Sequence, residues 1–251
     1  MKSFLAFMNK EWLEYFRNGK ILILFFLVML YGVSSPAFAK LTPAMMEMMS
    51  DSLAQSGIIV TEVEVSALDS WNQFYKNYLM FLIPFIVLCS ASFTKEYDKG
   101  TLILSLTKGM KRYKVVLAKL LVICILWTIS YGCSVAITYG YTTYFWDHSI
   151  VENLVSSMVC CWFFGIFIIS IMVLCSVIGK SNAFVLITTG LVGLICDIVG
   201  MFADLETYTP SYLLTAYLEW DDSLQTLGIT GCLCILCGIL SVYIFDKKQQ
   251  I

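Results

Sequence analysis

Six stretches along the chain are apolar enough, and in sum long enough, to cross a hydrocarbon layer of about 30 Å as α-helices. They run over Ile21–Ala39, Tyr78–Phe93, Val115–Trp146, Leu154–Ile178, Ala183–Phe202 and Thr226–Phe245. The third exceeds what a bilayer requires, so it should tilt or protrude, and its far end is aromatic: Tyr139, Tyr141, Tyr144, Phe145 and Trp146. The predicted class is an all-α integral membrane protein of six transmembrane helices. It forms one membrane domain over residues 1–251, because the connecting segments are too short to fold alone.

Between the spans the pattern changes. Over residues 1–20, Phe4, Leu5, Met8, Trp12, Tyr15 and Phe16 recur at helical spacing while Lys10, Glu11, Glu14 and Arg17 take the other side, which predicts an interfacial amphipathic helix. The first span ends at Ala37-Phe38-Ala39, the outline of a signal-peptidase site, but the long preceding segment with Glu11 and Glu14 is unlike a short positive leader, so the helix is kept. Residues 40–76 are the longest polar stretch, with Met45, Met46, Met48 and Met49 followed by Glu62, Glu64 and Asp69, and a weak alternation over Ile58–Val65. They read as an external loop. Residues 203–225 are half apolar, interrupted by Pro210 and too short to span, which predicts an outer re-entrant or interfacial pair of short helices.

Composition agrees with the bilayer as solvent: 59% of the 251 residues are hydrophobic, 14% are charged, and the mean hydropathy is +0.80. The net charge of -2 argues against a nucleic-acid partner, which would demand a basic face. Charge distribution says more than the sum. With the N-terminus inside, the cytoplasmic connections take every Lys and Arg except Lys40 and Lys76, fourteen of the sixteen, and most acids fall outside. Both termini of this multi-pass protein are then expected in the cytoplasm. All ten cysteines lie in apolar runs; Cys232, Cys234 and Cys237 have a metal-like spacing but no His or carboxylate nearby, so they read as packing residues.

The one histidine, His148, falls in an external loop, and no GxxxxGK[ST] loop occurs, so His-dependent catalysis and nucleotide binding on this chain are not expected. Asp197 costs roughly 2.5–3.5 kcal/mol near a helix centre, which invites a reason. It lines a substrate path or dimer seam, or it reaches the outer interface about one turn from Met201 and Phe202. As a lone carboxylate it is poor material for an intramembrane enzyme. Lys119 lies close enough to the cytoplasmic end of its span to snorkel outward.

The basic connection at residues 94–114 is the most informative loop. Gly100 can end one short helix in a left-handed conformation and Thr101 can cap the next, after which Leu102, Ile103, Leu104 and Leu106 present an apolar knob. Lys99, Lys108, Lys111, Arg112 and Lys114 would steer that knob to an acidic partner surface or anionic lipid. A plainer alternative is a connector lying on lipid, held by ion pairs of Glu96 with Arg17 or Lys99.

Glu96, Gly100-Thr101-Leu102, Lys111-Arg112 and Lys119 together resemble the cytoplasmic loop of ABC transporter permeases of the second type. The N-terminal KEWLEYFRN, with Glu11, Trp12 and Arg17, is similar to their elbow helix, and SYLL after Pro210 resembles their outer re-entrant segment. Many members carry a proline before the basic pair, where this chain has Lys108-Gly109-Met110. The resemblance implies the membrane half of an ATP-driven exporter, working as a homodimer or heterodimer with separate ATPase subunits that hold ATP and magnesium, with Glu96 to Arg112 as the coupling element. The small loops and Met-rich outer material look like bacterial permeases that export peptides, toxins or lantibiotics or confer immunity to them. Drug, lipid-linked glycan or sodium export, a membrane scaffold or regulatory subunit, and an ion channel are the alternatives.

Overall fold

The computed structural model describes residues 2–55, 64–98, 111–147, 151, 153–179, 181–202, 206–215 and 220–247. Among these the chain is helical: α1 (Lys2–Arg17), α2 (Lys20–Gln55), α3 (Ala67–Lys76), α4 (Tyr78–Asp98), α5 (Arg112–Phe145), α6 (Leu154–Ile178), α7 (Asn182–Gly200) and α8 (Trp220–Lys247), with two 3₁₀ turns, Glu206–Tyr208 and Pro210–Leu214, between the last two. Six segments have the length and hydropathy of membrane spans: Lys20–Met49, Ala67–Thr94, Arg112–Phe145, Leu154–Ile178, Asn182–Gly200 and Ser223–Lys247. The chain is therefore an all-helical protein with six candidate spans.

The first span differs most from the sequence expectation, because α2 runs on through Pro36 and Pro43 to Gln55 instead of stopping near Ala39. Membrane helices tolerate prolines when neighbours re-satisfy the backbone, and the residues beyond Pro43 are mostly Ala, Met, Leu and Glu, strong helix formers. At 1.5 Å per residue α2 is roughly 54 Å long and α5 roughly 51 Å, so this packed pair extends well beyond an apolar slab of about 30 Å. The second half of the expected loop is α3, and only a short turn at Asn77 separates it from α4. The Ser66 amide donates to Asp69 Oδ2 at 2.9 Å at its start, while Trp71 and Phe74 on its inner face are fully buried. Most of the Ile58–Val65 alternation lies outside the described residues.

α6 is the central post. Its apolar window is 67% buried inside the protein against 11% for α7 and α8, which lie on its flank. Around it aromatic rings do the packing that hydrophobicity cannot do in a membrane, where lipid is as apolar as the core. Trp127 of α5 meets Phe81, Phe85 and Tyr131 at ring-centre distances of 5.4, 5.0 and 5.6 Å. Its ring lies against Gly165 of α6, where an added Cβ would come 2.2 Å from Trp127 Cζ2. Interhelical hydrogen bonds fix the register: Tyr31 Oη donates to the Phe74 carbonyl at 2.7 Å, Tyr78 Oη to that of Cys161 at 2.6 Å, and Thr138 Oγ1 to that of Gly32 at 2.9 Å.

The described residues 206–215 after α7 form two short 3₁₀ helices, Glu206–Tyr208 and Pro210–Leu214. Pro210 and Leu213 are buried against α6, α7 and α8, and Ser211 Oγ reaches back to the Cys196 carbonyl at 3.1 Å. Pro210 fixes the start of its turn because its ring pre-sets φ and it has no amide to satisfy.

Candidate functional site

α1, the foot of α4 and the foot of α5 meet at the end of the bundle that holds the first helix, and charged side chains meet there inside the protein. α1 turns Phe7, Glu11 and Tyr15 inward, each four residues from the next, so all three share one helical face. This corrects the sequence expectation for Glu11, which stood on the polar side; Leu5 and Phe16, assigned to the apolar side, are exposed. A carboxylate enters an apolar face only when a cation meets it. Lys119 of α5 is that cation.

The Lys119 ammonium donates to Glu11 Oε2 at 2.8 Å and to the Ser92 carbonyl at 3.0 Å, and lies 3.1 Å from Glu96 Oε2 as an ion pair without hydrogen-bond alignment. It sits between the rings of Phe7 and Phe93, 5.9 and 5.2 Å from their centres, and its side chain is 1% exposed. Lys119 therefore turns inward and does not snorkel. Lys10 closes the network at the rim: its ammonium binds Glu96, and lies 3.2 Å from Glu11 Oε1 and 3.7 Å from Glu14 Oε2. Glu96 thus pairs with Lys10 and Lys119 and not with Arg17, which is exposed; Lys99 lies outside the described residues.

The electrostatics follow from that arrangement. Burial alone would push the Glu96 carboxyl up, but the charges of Lys119 and Lys10 and the hydrogen bond from Lys10 outweigh it and hold the group below the ordinary glutamate value. At Lys10 partial burial works against the charged form, and Glu96 and Glu11 overcome it, so its ammonium is held above the ordinary lysine value. Oxygens of Glu11, Glu14 and Glu96 lie within 4.8 Å of one another. Two ammonium groups already stand among these three carboxylates, so this is an ion network that keeps one net negative charge.

Of the remaining residues singled out in the sequence, Gly100, Thr101, Leu102, Leu104 and Leu106 lie outside the described residues. Glu96 stands in the last turn of α4, and Lys111 is the N-cap of α5. Arg112 donates from Nη1 to the Asp246 carbonyl at 2.8 Å, tying the start of α5 to the last turn of α8, where a cation also suits the helix dipole. Trp12 is half-buried and packs on Phe16, ring centres 5.9 Å apart. Asp197 is elsewhere, near the opposite end of α7, half-exposed and lining a groove of about 380 Å³ between α4, α6 and α7.

Glu11, Lys119 and Ser92 were not grouped by sequence reasoning, since contacts across 108 and 27 residues leave no local periodicity. The available signal was an acid between Phe7 and Tyr15 at four-residue spacing on the face that periodicity left for the core.

The family model described as ABC-2 family transporter protein matches residues 5–248. The chain belongs to the ABC-2 transporter family. Its six candidate spans are those of an ABC-2 membrane subunit, so it is a permease of an ABC exporter, and family membership implies an ABC ATPase partner. No curated protein matches the chain.

Proposed function

We propose that this ABC-2 subunit is the transmembrane half of an ATP-driven exporter for amphipathic or antimicrobial peptides in a bacterial plasma membrane. It pairs with a second permease subunit, alike or different, to enclose the path. The chain hydrolyses nothing itself; ATP and magnesium belong to the ATPase subunits beneath it. Both termini face the cytoplasm, in keeping with fourteen of sixteen basic residues on that side. In that orientation α1 is the elbow helix, residues 94–114 are the coupling loop, and residues 203–225 are the outer segment.

The observation that carries the reading is the Glu11–Lys119–Glu96 network. It joins α1 to α4 just before the loop departs and to α5 just after the loop returns. A push on the loop by an ATPase is then received by three helices as one body, because the buried charges resist separation from one another. Peptide cargo is supported by methionines Met45, Met48 and Met49, exposed on the far part of α2, whose pliable side chains suit varied apolar faces.

The test is co-purification of the chain with an ATP-binding subunit, followed by peptide uptake into inverted vesicles. Replacing Leu104 with Asp is expected to leave insertion intact and separate ATP hydrolysis from uptake. Normal uptake by that variant, or purification with no ATPase, would sink the assignment.

A further inference from the structure

The groove between α4, α6 and α7 combines an apolar wall with one charge. Leu82 and Ile86 of α4, Ile168 of α6 and Leu186 and Leu194 of α7 form the wall, and Asp197 stands at one end. Two glycines form the floor along α7: an added Cβ would meet nothing within 4 Å at Gly190 and only Ile168 Cδ1, at 3.9 Å, at Gly193. The space is thus left open by the absence of side chains. From Leu186 to Asp197 it runs roughly 16 Å at 1.5 Å per residue, long and narrow with its charge at one tip.

No cation among the described residues pairs with Asp197. A carboxylate held against an apolar wall lacks the compensation that Glu11 receives from Lys119, and a ligand can supply it. The two demands of the groove, a tail for the wall and a positive head for the tip, describe one kind of molecule. We propose that this groove binds a cationic amphiphile, with the positive head on Asp197 and the apolar tail along Gly193 and Gly190. This rests on the exporter reading for its purpose, since it states the charge class of the cargo, but the binding itself is measured without transport.

The test uses the full chain in lipid nanodiscs, with radiolabelled dodecyltrimethylammonium measured above the empty-nanodisc background and dodecanol as the uncharged comparison. Saturable binding of the cation is expected, weakened about tenfold or more by Asp197→Asn with dodecanol unaffected, and kept within about threefold by Asp197→Glu. Gly193→Leu fills the floor while sparing the charge, so it should weaken both probes. Cation binding indifferent to Asp197→Asn, or loss of both probes together in that variant, overturns the proposal. So does a change of oligomeric state in Asp197→Asn with cation binding intact, which would give the groove to a second copy. The expected binding pattern without ATP-driven transport would count against the exporter reading and not against this site.

Discussion

The ammonium of Lys119 donates to the carboxylate of Glu11 at 2.8 Å, with both side chains almost completely enclosed. Removing one partner of such a pair leaves the other charged and buried, at a cost of about 3–5 kcal/mol, whereas removing both together is far milder. Lys119→Met should therefore lower the yield of folded protein and its melting temperature in detergent. The double variant Glu11→Gln with Lys119→Met should recover most of that loss. A single variant as stable as the wild type would contradict the enclosure seen here.

The same junction predicts a pH profile. The Glu96 carboxyl is held below its ordinary value of 4.5, so its contribution is complete above that pH and is lost as pH falls through the lowered value. Lys10 is held above its ordinary 10.5, so its contribution is complete below that pH and is lost as pH rises through the raised value. Thermal unfolding scans should show a plateau from this pair between those limits and a fall on each side. Glu96→Gln should flatten the acidic fall, and an unchanged acidic limb in that variant would count against the pairing.

Gly165 is the floor under Trp127, and the smallest side chain is already too large there. Gly165→Ala should lower stability by about 1–3 kcal/mol through overpacking, since the indole is held on its other faces by Phe81, Phe85 and Tyr131. Adding Trp127→Phe to that variant should restore part of the loss. Melting temperatures of the single and double variants decide the matter, and a Gly165→Ala protein as stable as its parent would mean that the helices part easily here.

Orientation is checked with fusions. A fluorescent reporter that folds only in the cytoplasm should shine when attached after Lys247, and an alkaline phosphatase joined after Gln55 should be active outside the cell. The reverse pattern would place the ion network on the wrong side for an ATPase.

The spans were readable in the sequence because each is a continuous local signal, and Leu154–Ile178 coincides with α6 to the residue. Boundaries failed where polarity stood in for breakage. The run after Pro43 opens the long polar stretch that goes on to Glu62, Glu64 and Asp69, yet Ala, Met and Leu favour helix there whatever the solvent. α3 was overlooked for the same reason, although Ser66 and Asp69 ahead of Trp71, Phe74 and Tyr75 give the start signal and apolar spacing of a short helix. At the candidate site, Glu96 could be singled out from its neighbours along the chain. Its pairing with Lys10 could not, because Lys10 is 86 residues away and a charge on an amphipathic segment is ordinarily solvated.

The distance in sequence between Glu11 and Lys119 also sets an order of events during synthesis. Chains emerge N-terminus first, so α1 is made long before the helix that neutralises it. Until α5 has been made, Lys119 cannot meet Glu11, and of the two ammonium groups of this network only that of Lys10 is at hand. The second ammonium arrives only with α5, so the enclosed Glu11–Lys119 pair can form only after the first three spans have been made.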